Sequence, residues 1–174
     1  MAALTDEMLR AVKGELDAQA VYREVKQTGD FADFARRFMH SDDGRVARNA
    51  FWVLTKATDQ ELSQLQGMLH ELMDLALKTE HSAVRRLSLN IIERLKMEEE
   101  DLRTDFLDFC IEHATDVEEF PGVQAVCMKL AYRMCKFYPE LMDELKRTLE
   151  AMDIDYYKPA VKCARSRILN GKLK

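Results

Sequence analysis

Six basic residues, Arg48, Arg86, Lys129, Arg133, Arg165 and Arg167, fall on helix-forming stretches, and four of them, Arg48, Arg86, Lys129 and Arg167, face away from the apolar stripe. A guanidinium presents a planar fork of donors that matches a carboxylate or phosphate, and an ammonium adds a point charge, so the chemistry on offer is anion binding. Trp52, Asn90 and Tyr132 share those helical faces and would add stacking surface and neutral hydrogen bonds. Trp52 is the single tryptophan, and as a lone aromatic on an apolar helix it suits either the core or a contact surface.

No pattern for bond-breaking chemistry accompanies these cations. The sequence has no Gly-rich phosphate loop, no His-Glu-x-x-His and no Gly-x-Ser-x-Gly. His70 and Asp74 stand one helical turn apart, a spacing that metal sites use, but no third ligand follows at a suitable distance. No metal, no cofactor and no catalytic residue is therefore expected. His40, His81 and His113 fall near helix ends, where histidine caps or meets solvent. Cys110, Cys127, Cys135 and Cys163 match neither a Cys-x-x-Cys pair nor a zinc-ribbon spacing and are read as reduced, three of them as small apolar groups. The run Glu98-Glu99-Glu100-Asp101 reads as the solvated start of a helix.

The elements that must hold these residues are helices. With 174 residues, 47% hydrophobic, 33% charged, and only six Gly and three Pro, the sequence predicts one compact all-α domain over 1–174. The start, Met1-Ala2-Ala3-Leu4-Thr5-Asp6, lacks a basic segment followed by an apolar run, and no stretch approaches the roughly 20 apolar residues of a spanning helix. A cytoplasmic protein with no membrane contact is the expectation.

Four segments begin after a break and continue with apolar residues at helical spacing, led by Val46, Val84, Val123 and Val161, which are 38, 39 and 38 residues apart. Each second helix, here called B, follows a first helix, A: Phe31 to Met39, about Thr58 to Lys78, Asp101 to Ala114, and Glu140 to Met152. Thr58 and Glu61 have capping-box spacing, and Pro121, Pro139 and Pro159 sit where a first helical turn tolerates proline. Thr5 to Gln27, with Leu9, Val12, Leu16, Val21 and Val25 apolar, reads as one or two further helices covering the open end of the stack. The divisions are a cap over 1–29 and repeats over 30–57, 58–96, 97–136 and 137–174.

Charge follows the same division. Residues 44–57, 81–96 and 122–136 each carry a net +3 and residues 158–174 carry +6, which leaves −20 for the rest of a chain whose net charge is −5. With the lead valine at 0° and 100° per residue, the positions opposite the core are Arg48, Trp52 and Thr55; Arg86, Asn90 and Glu93; Ala125, Lys129 and Tyr132; Cys163, Arg167 and Asn170. Other cations have plainer roles. Lys56, Arg94, Lys96, Lys136, Lys172 and Lys174 lie toward helix C-termini, where they meet the helix dipole, and Arg85 and Lys162 suit ion pairs with acids of neighbouring repeats.

The period, the A–B arrangement and the runs Ala83-Val84-Arg85-Arg86 and Ala160-Val161-Lys162 resemble HEAT repeats over about Phe31 to Asn170, with Ala47 and Gln124 replacing the basic residue in the first and third units. The resemblance implies a right-handed α-α superhelix, a short solenoid of the armadillo-type class, with about four helix pairs and an N-terminal cap, its B helices lining the concave side. On such a scaffold the charge segregation leads to the expectation of a non-enzymatic module that binds an acidic protein segment in a basic groove formed by Arg48, Trp52, Arg86, Asn90, Lys129, Tyr132, Arg133, Arg165 and Arg167. A second reading, nucleic-acid binding, follows from the likeness of Arg85-Arg86 to the Arg-Arg pair of HEAT-like DNA-alkylation-repair glycosylases, although Ala83-Val84 replaces the aromatic residue that precedes it there.

Overall fold

The computed structural model describes residues 3–173, which form eleven α-helices and three 3-10 turns with no strand among them. Met1, Ala2 and Lys174, named above at the chain start and among the helix-end cations, lie outside the described residues. The Cα packing separates two compact units, Met1–Lys96 and Met97–Lys174.

The first unit holds α1 (Asp6–Arg10), α2 (Glu15–Thr28), α3 (Phe31–Phe38), α4 (Gly44–Leu54), α5 (Asp59–Leu62), a 3-10 turn (Ser63–Met68), α6 (Leu69–Lys78) and α7 (Ser82–Arg94). Helix starts are set by side chains that accept orphan N–H groups: Thr5 from Met8, Asp30 from Asp33, Asp43 from Arg45 and Thr58 from Glu61, the last as a full capping box. Gly29 ends α2 in the left-handed region at φ 72°, a conformation that a Cβ resists. At Gly44 the need is space, because a Cβ there would lie 2.5 Å from Cδ2 of His81, the residue whose Nδ1 accepts from Val84 to start α7.

Helix α4 is the centre of this unit and packs against α1, α2, α3 and α7. It buries Val46, Ala47, Asn49, Ala50, Phe51, Val53 and Leu54. Each large apolar side chain so buried contributes roughly 1.5–3 kcal/mol, more than any single cap. Asn49, wholly buried, is the polar exception: its Nδ2 donates to the carbonyls of Leu9 at 2.7 Å and Val12 at 3.1 Å. A five-residue helix such as α1 is not stable alone. It is held by this amide, by Leu9 and Val12 in the core, and by Arg10, whose Nε donates to Asp43 at 2.7 Å and keeps that carboxyl below its ordinary range.

Three expectations about the first unit need correction. Thr58 to Lys78 is not one helix but α5, a 3-10 turn and α6. The turn aims Gln64 and Gln66 at different segments of main chain, and each amide is used in both directions: Gln64 with Gly29 O and Phe31 N, Gln66 with Lys96 O and Lys96 N. Gly67, a poor helix former, lowers the cost of that break. Leu16 does not join the cap's apolar stripe and is 79% exposed, because the buried face of α2 runs through Ala18, Val21 and Val25. Arg85 pairs with no acid among the described residues; it donates to Thr79 O at 2.7 Å while its buried Nε has no acceptor among them.

Two helix-end cations serve their neighbours more than their own helices. Arg94 donates to the carbonyls of Thr55 and Ala57, which follow α4, and to Asp59 at the start of α5. Lys56 pairs with Glu15 of α2. With the Lys56 ammonium foremost, and Gln19 and the Trp52 indole assisting, the Glu15 carboxyl is held below its ordinary range.

The second unit holds a 3-10 turn (Glu99–Asp101), α8 (Thr104–Thr115), α9 (Pro121–Cys135), α10 (Pro139–Glu150), a 3-10 turn (Ile154–Tyr156) and α11 (Pro159–Leu169). Pro121, Pro139 and Pro159 each occupy a first helical turn. The acidic run Glu98–Asp101 is not the start of α8 but a separate turn before it, closed by Asp101 accepting from the Glu98 N–H. Helix α9 is the central element, packed against α8, α10 and α11. Tyr157, buried, ties successive repeats together by donating its hydroxyl to Thr115 O at 2.6 Å.

All four cysteines are free, with Cys110, Cys127 and Cys135 buried and Cys163 exposed. Burial, assisted by Cys127, pushes the Cys110 thiol well up, and burial with nearby Glu144 pushes Cys135 to about 11. A chromogenic disulfide reagent at mildly alkaline pH should therefore titrate one thiol per native chain, Cys163, and the other three only after denaturation; rapid reaction of a second native thiol would contradict this packing. Asn49→Ala removes the side-chain donor from Val12 O and the shorter of the two bonds to Leu9 O and should cost about 1–3 kcal/mol in urea unfolding, with faster tryptic cutting at Lys13. A change below about 0.5 kcal/mol would show that α1 is held by its apolar contacts instead.

Candidate partner-binding face on the B helices

A helix enclosed on several sides has little room for charge. In α4, Arg45, Arg48, Trp52 and the following Thr55 escape burial, and the last three recur at i, i+4 and i+7. In α7 the open strip includes Arg86, Asn90 and Glu93, at the same spacing. Because α4 and α7 pack side by side, the strips meet: Arg48, Trp52, Thr55, Arg86, Leu87 and Asn90 line one cleft of about 470 Å³.

The Arg48 side chain is oriented from within. Its Nε and one terminal nitrogen donate to Asn49 Oδ1 at 3.1 and 2.9 Å, and that amide is fixed by its bonds to Leu9 and Val12. The fork is thus positioned while its charge is unneutralised, since no carboxylate pairs with Arg48 or with exposed Arg86 among the described residues. The Asn90 amide likewise makes no hydrogen bond among the described residues. Trp52 is half-buried and lines the cleft, with its N–H drawn toward Glu15. Two cations, an aromatic wall and a free amide are the means of holding a carboxylate or phosphate beside an apolar group.

In the second unit, α9 leaves Ala125, Lys129, Tyr132 and Arg133 half-buried on its open side. Tyr132 donates its hydroxyl to Leu173 O at 2.9 Å, and the N–H groups of Lys172 and Leu173 donate to Arg167 O, so the chain end folds back beside this face. Lys136 stands 5.8 Å from the Tyr132 ring centre. Arg167 is exposed, whereas Arg165 turns to α10 and donates Nε to Leu149 O at 2.7 Å, capping that helix. The nine residues are therefore not equivalent: four converge on a cleft in the first unit, Lys129, Tyr132, Arg133 and Arg167 belong to the second, and Arg165 is committed to a helix end.

Sequence reasoning passed over Asn49, the residue that orients Arg48. Its signal was a polar side chain between Val46 and Val53, three residues after the one and four before the other, inside an apolar helix, where a buried amide implies a specific partner. Among the described residues no three of His, Cys, Asp and Glu stand together as metal ligands. No helix among them is long and apolar enough to cross a membrane.

The chain matches the family model described as HEAT repeat domain over residues 5–172. No curated protein and no solved structure gives a match. The matched span takes in both units and every A–B pair described above, and the chain belongs to the HEAT repeat domain family.

Proposed function

We propose that the chain is a non-enzymatic interaction module whose B-helix cations bind an acidic segment of a partner protein. The observation that carries this reading is the cleft between α4 and α7, where Arg48 and Arg86 face solvent without carboxylate partners beside Trp52 and the open amide of Asn90. HEAT repeats typically mediate protein interactions, and families built on them are generally non-enzymatic. Lys129, Tyr132, Arg133 and Arg167 supply a second set of contacts on α9 and α11, and Arg165 supports that set from the end of α10. The free thiols suit a reducing compartment such as the cytoplasm.

A protein segment is favoured over nucleic acid on electrostatic grounds. A net charge of −5 repels a polyanion at long range, and two guanidinium groups match one or two carboxylates better than a ladder of phosphates. The nucleic-acid reading, with Trp52 stacking on a base as in a relative of the alkylation-repair glycosylases, is the outcome against which the first is tested.

The test is anisotropy of two labelled probes at low and physiological salt: a Glu-rich peptide of about twelve residues with one central Leu, and single- and double-stranded DNA and RNA. Binding of the peptide should weaken about tenfold or more in the double variant Arg48→Glu, Arg86→Glu, with helicity by circular dichroism unchanged. Peptide binding that survives the double reversal would sink the cleft model, and saturable DNA or RNA binding that collapses with salt would put nucleic acid in its place.

A further inference from the structure

Large apolar side chains scattered singly on a surface need no explanation, but their concentration on adjacent loops does. Seven are exposed among the described residues, and four of them lie in the two A–B loops of the second unit: Val117 at 49% and Phe120 at 63% between α8 and α9, Ile154 at 39% and Tyr156 at 72% between α10 and α11. The loops are neighbours, since the Tyr157 hydroxyl of the second donates to Thr115 O at the start of the first. Asp116 and Asp153, one from each loop, both act on the Tyr157 hydroxyl and help burial to raise its pKa.

None of the four is needed to shape its loop. The α8–α9 loop is closed by His113 with Glu119 at 2.7 Å and by Asp116 accepting from the Glu118 N–H at 2.9 Å. The α10–α11 loop is closed by Asp153 accepting from Asp155 N–H and by Tyr157. The equivalent loops of the first unit do without such groups, reading His40-Ser41-Asp42-Asp43 and Thr79-Glu80-His81. The apolar side chains are additions whose large exposed areas no described residue of the unit covers.

The surroundings say what kind of partner would cover them. Asp116, Glu118, Asp153 and Asp155 are all exposed, and none of them makes an ion pair among the described residues; Lys158 is the only base in the two loops. Exposed apolar side chains interspersed with unpaired carboxylates on neighbouring loops repel acidic segments, anionic lipid and nucleic acid alike, and they complement a segment in which Lys or Arg flank an apolar side chain. We infer that the neighbouring A–B loops of the second unit, with Phe120 and Tyr156 exposed alongside Asp116, Glu118, Asp153 and Asp155, form a docking surface for a basic protein segment carrying an apolar anchor. This surface has the opposite sign to the α4–α7 cleft and does not depend on it.

The test selects a random dodecapeptide display library on the full chain and, in parallel, on the variant Phe120→Ser, Tyr156→Ser, whose exposed positions leave the core untouched. Peptides rich in Lys or Arg with a Leu or aromatic residue should be enriched on the wild-type chain alone. The best of them, labelled, should bind about tenfold more weakly to the Ser variant and several-fold more weakly to Asp153→Asn, Asp155→Asn, with no change for Arg48→Glu, Arg86→Glu. Loss of its binding in the Arg variant would assign it to the α4–α7 cleft instead. Recovery of no peptide above background, of acidic peptides, or of peptides that bind the Ser variant equally would overturn the proposal. So would sedimentation equilibrium showing a dimer that the Ser substitutions abolish, since the loops would then be covered by a second copy.

Discussion

Enclosure of the central B helix by its neighbours is the constraint on which the rest of the first unit depends. With α1, α2, α3 and α7 packed around it, α4 has a single strip where a charge avoids full desolvation. An unpaired cation at the position of Phe51 or Val53 would cost several kcal/mol, whereas at Arg48 it keeps part of its hydration. The helical period then places Trp52 one turn beyond Arg48, and the packing of α7 alongside brings Arg86 and Asn90 to the same cleft. The open strip is what remains after the core has taken every other face.

Asn49 shows how that core also prepares the surface. A buried amide without partners would cost about 1–3 kcal/mol, and here the N-terminal cap supplies two carbonyl acceptors while Arg48 supplies the donors for its oxygen. The N-terminal segment is thereby linked through Asn49 to the orientation of one guanidinium. Pre-orientation matters because an exposed ion pair is worth only about 0–1 kcal/mol, much of which goes to ordering long side chains. Fixing Arg48 in advance removes part of that cost.

Periodicity made the helices and the open strips of the B helices legible, because burial on a helix repeats and the 38-residue spacing of Val46, Val84, Val123 and Val161 repeats with it. What escaped were features made by single contacts between segments far apart in sequence. The 3-10 turn at Ser63–Met68 exists because Gln64 and Gln66 reach main chain some 30 to 35 residues away, which no local pattern encodes. Arg165 falls four residues after Val161, on the flank of α11 nearest the core, and there the end of α10 offers it a carbonyl that its own helix does not announce. Trp52 was open to two readings because a half-buried indole belongs to both, and only the packing of α7 decides where its uncovered part faces.

The two surfaces of opposite sign raise the question of why copies of this chain should not simply dock onto one another, cleft to loops. The energies argue against it. Carboxylates such as Asp153 and Asp155 meeting Arg48 and Arg86 would form exposed pairs worth about 0–1 kcal/mol each, too little to offset the lost freedom of association. The loops gain from a partner mainly by covering Phe120 and Tyr156, and burying such side chains is worth roughly 1.5–3 kcal/mol apiece. The cleft has no projecting apolar group with which to do it: Leu87 is buried in its floor and Trp52 is half-buried in its wall. On the proposed reading, charge would set which partners approach each surface and apolar anchoring which stay, a criterion that favours a foreign segment on the loops over the chain's own cleft.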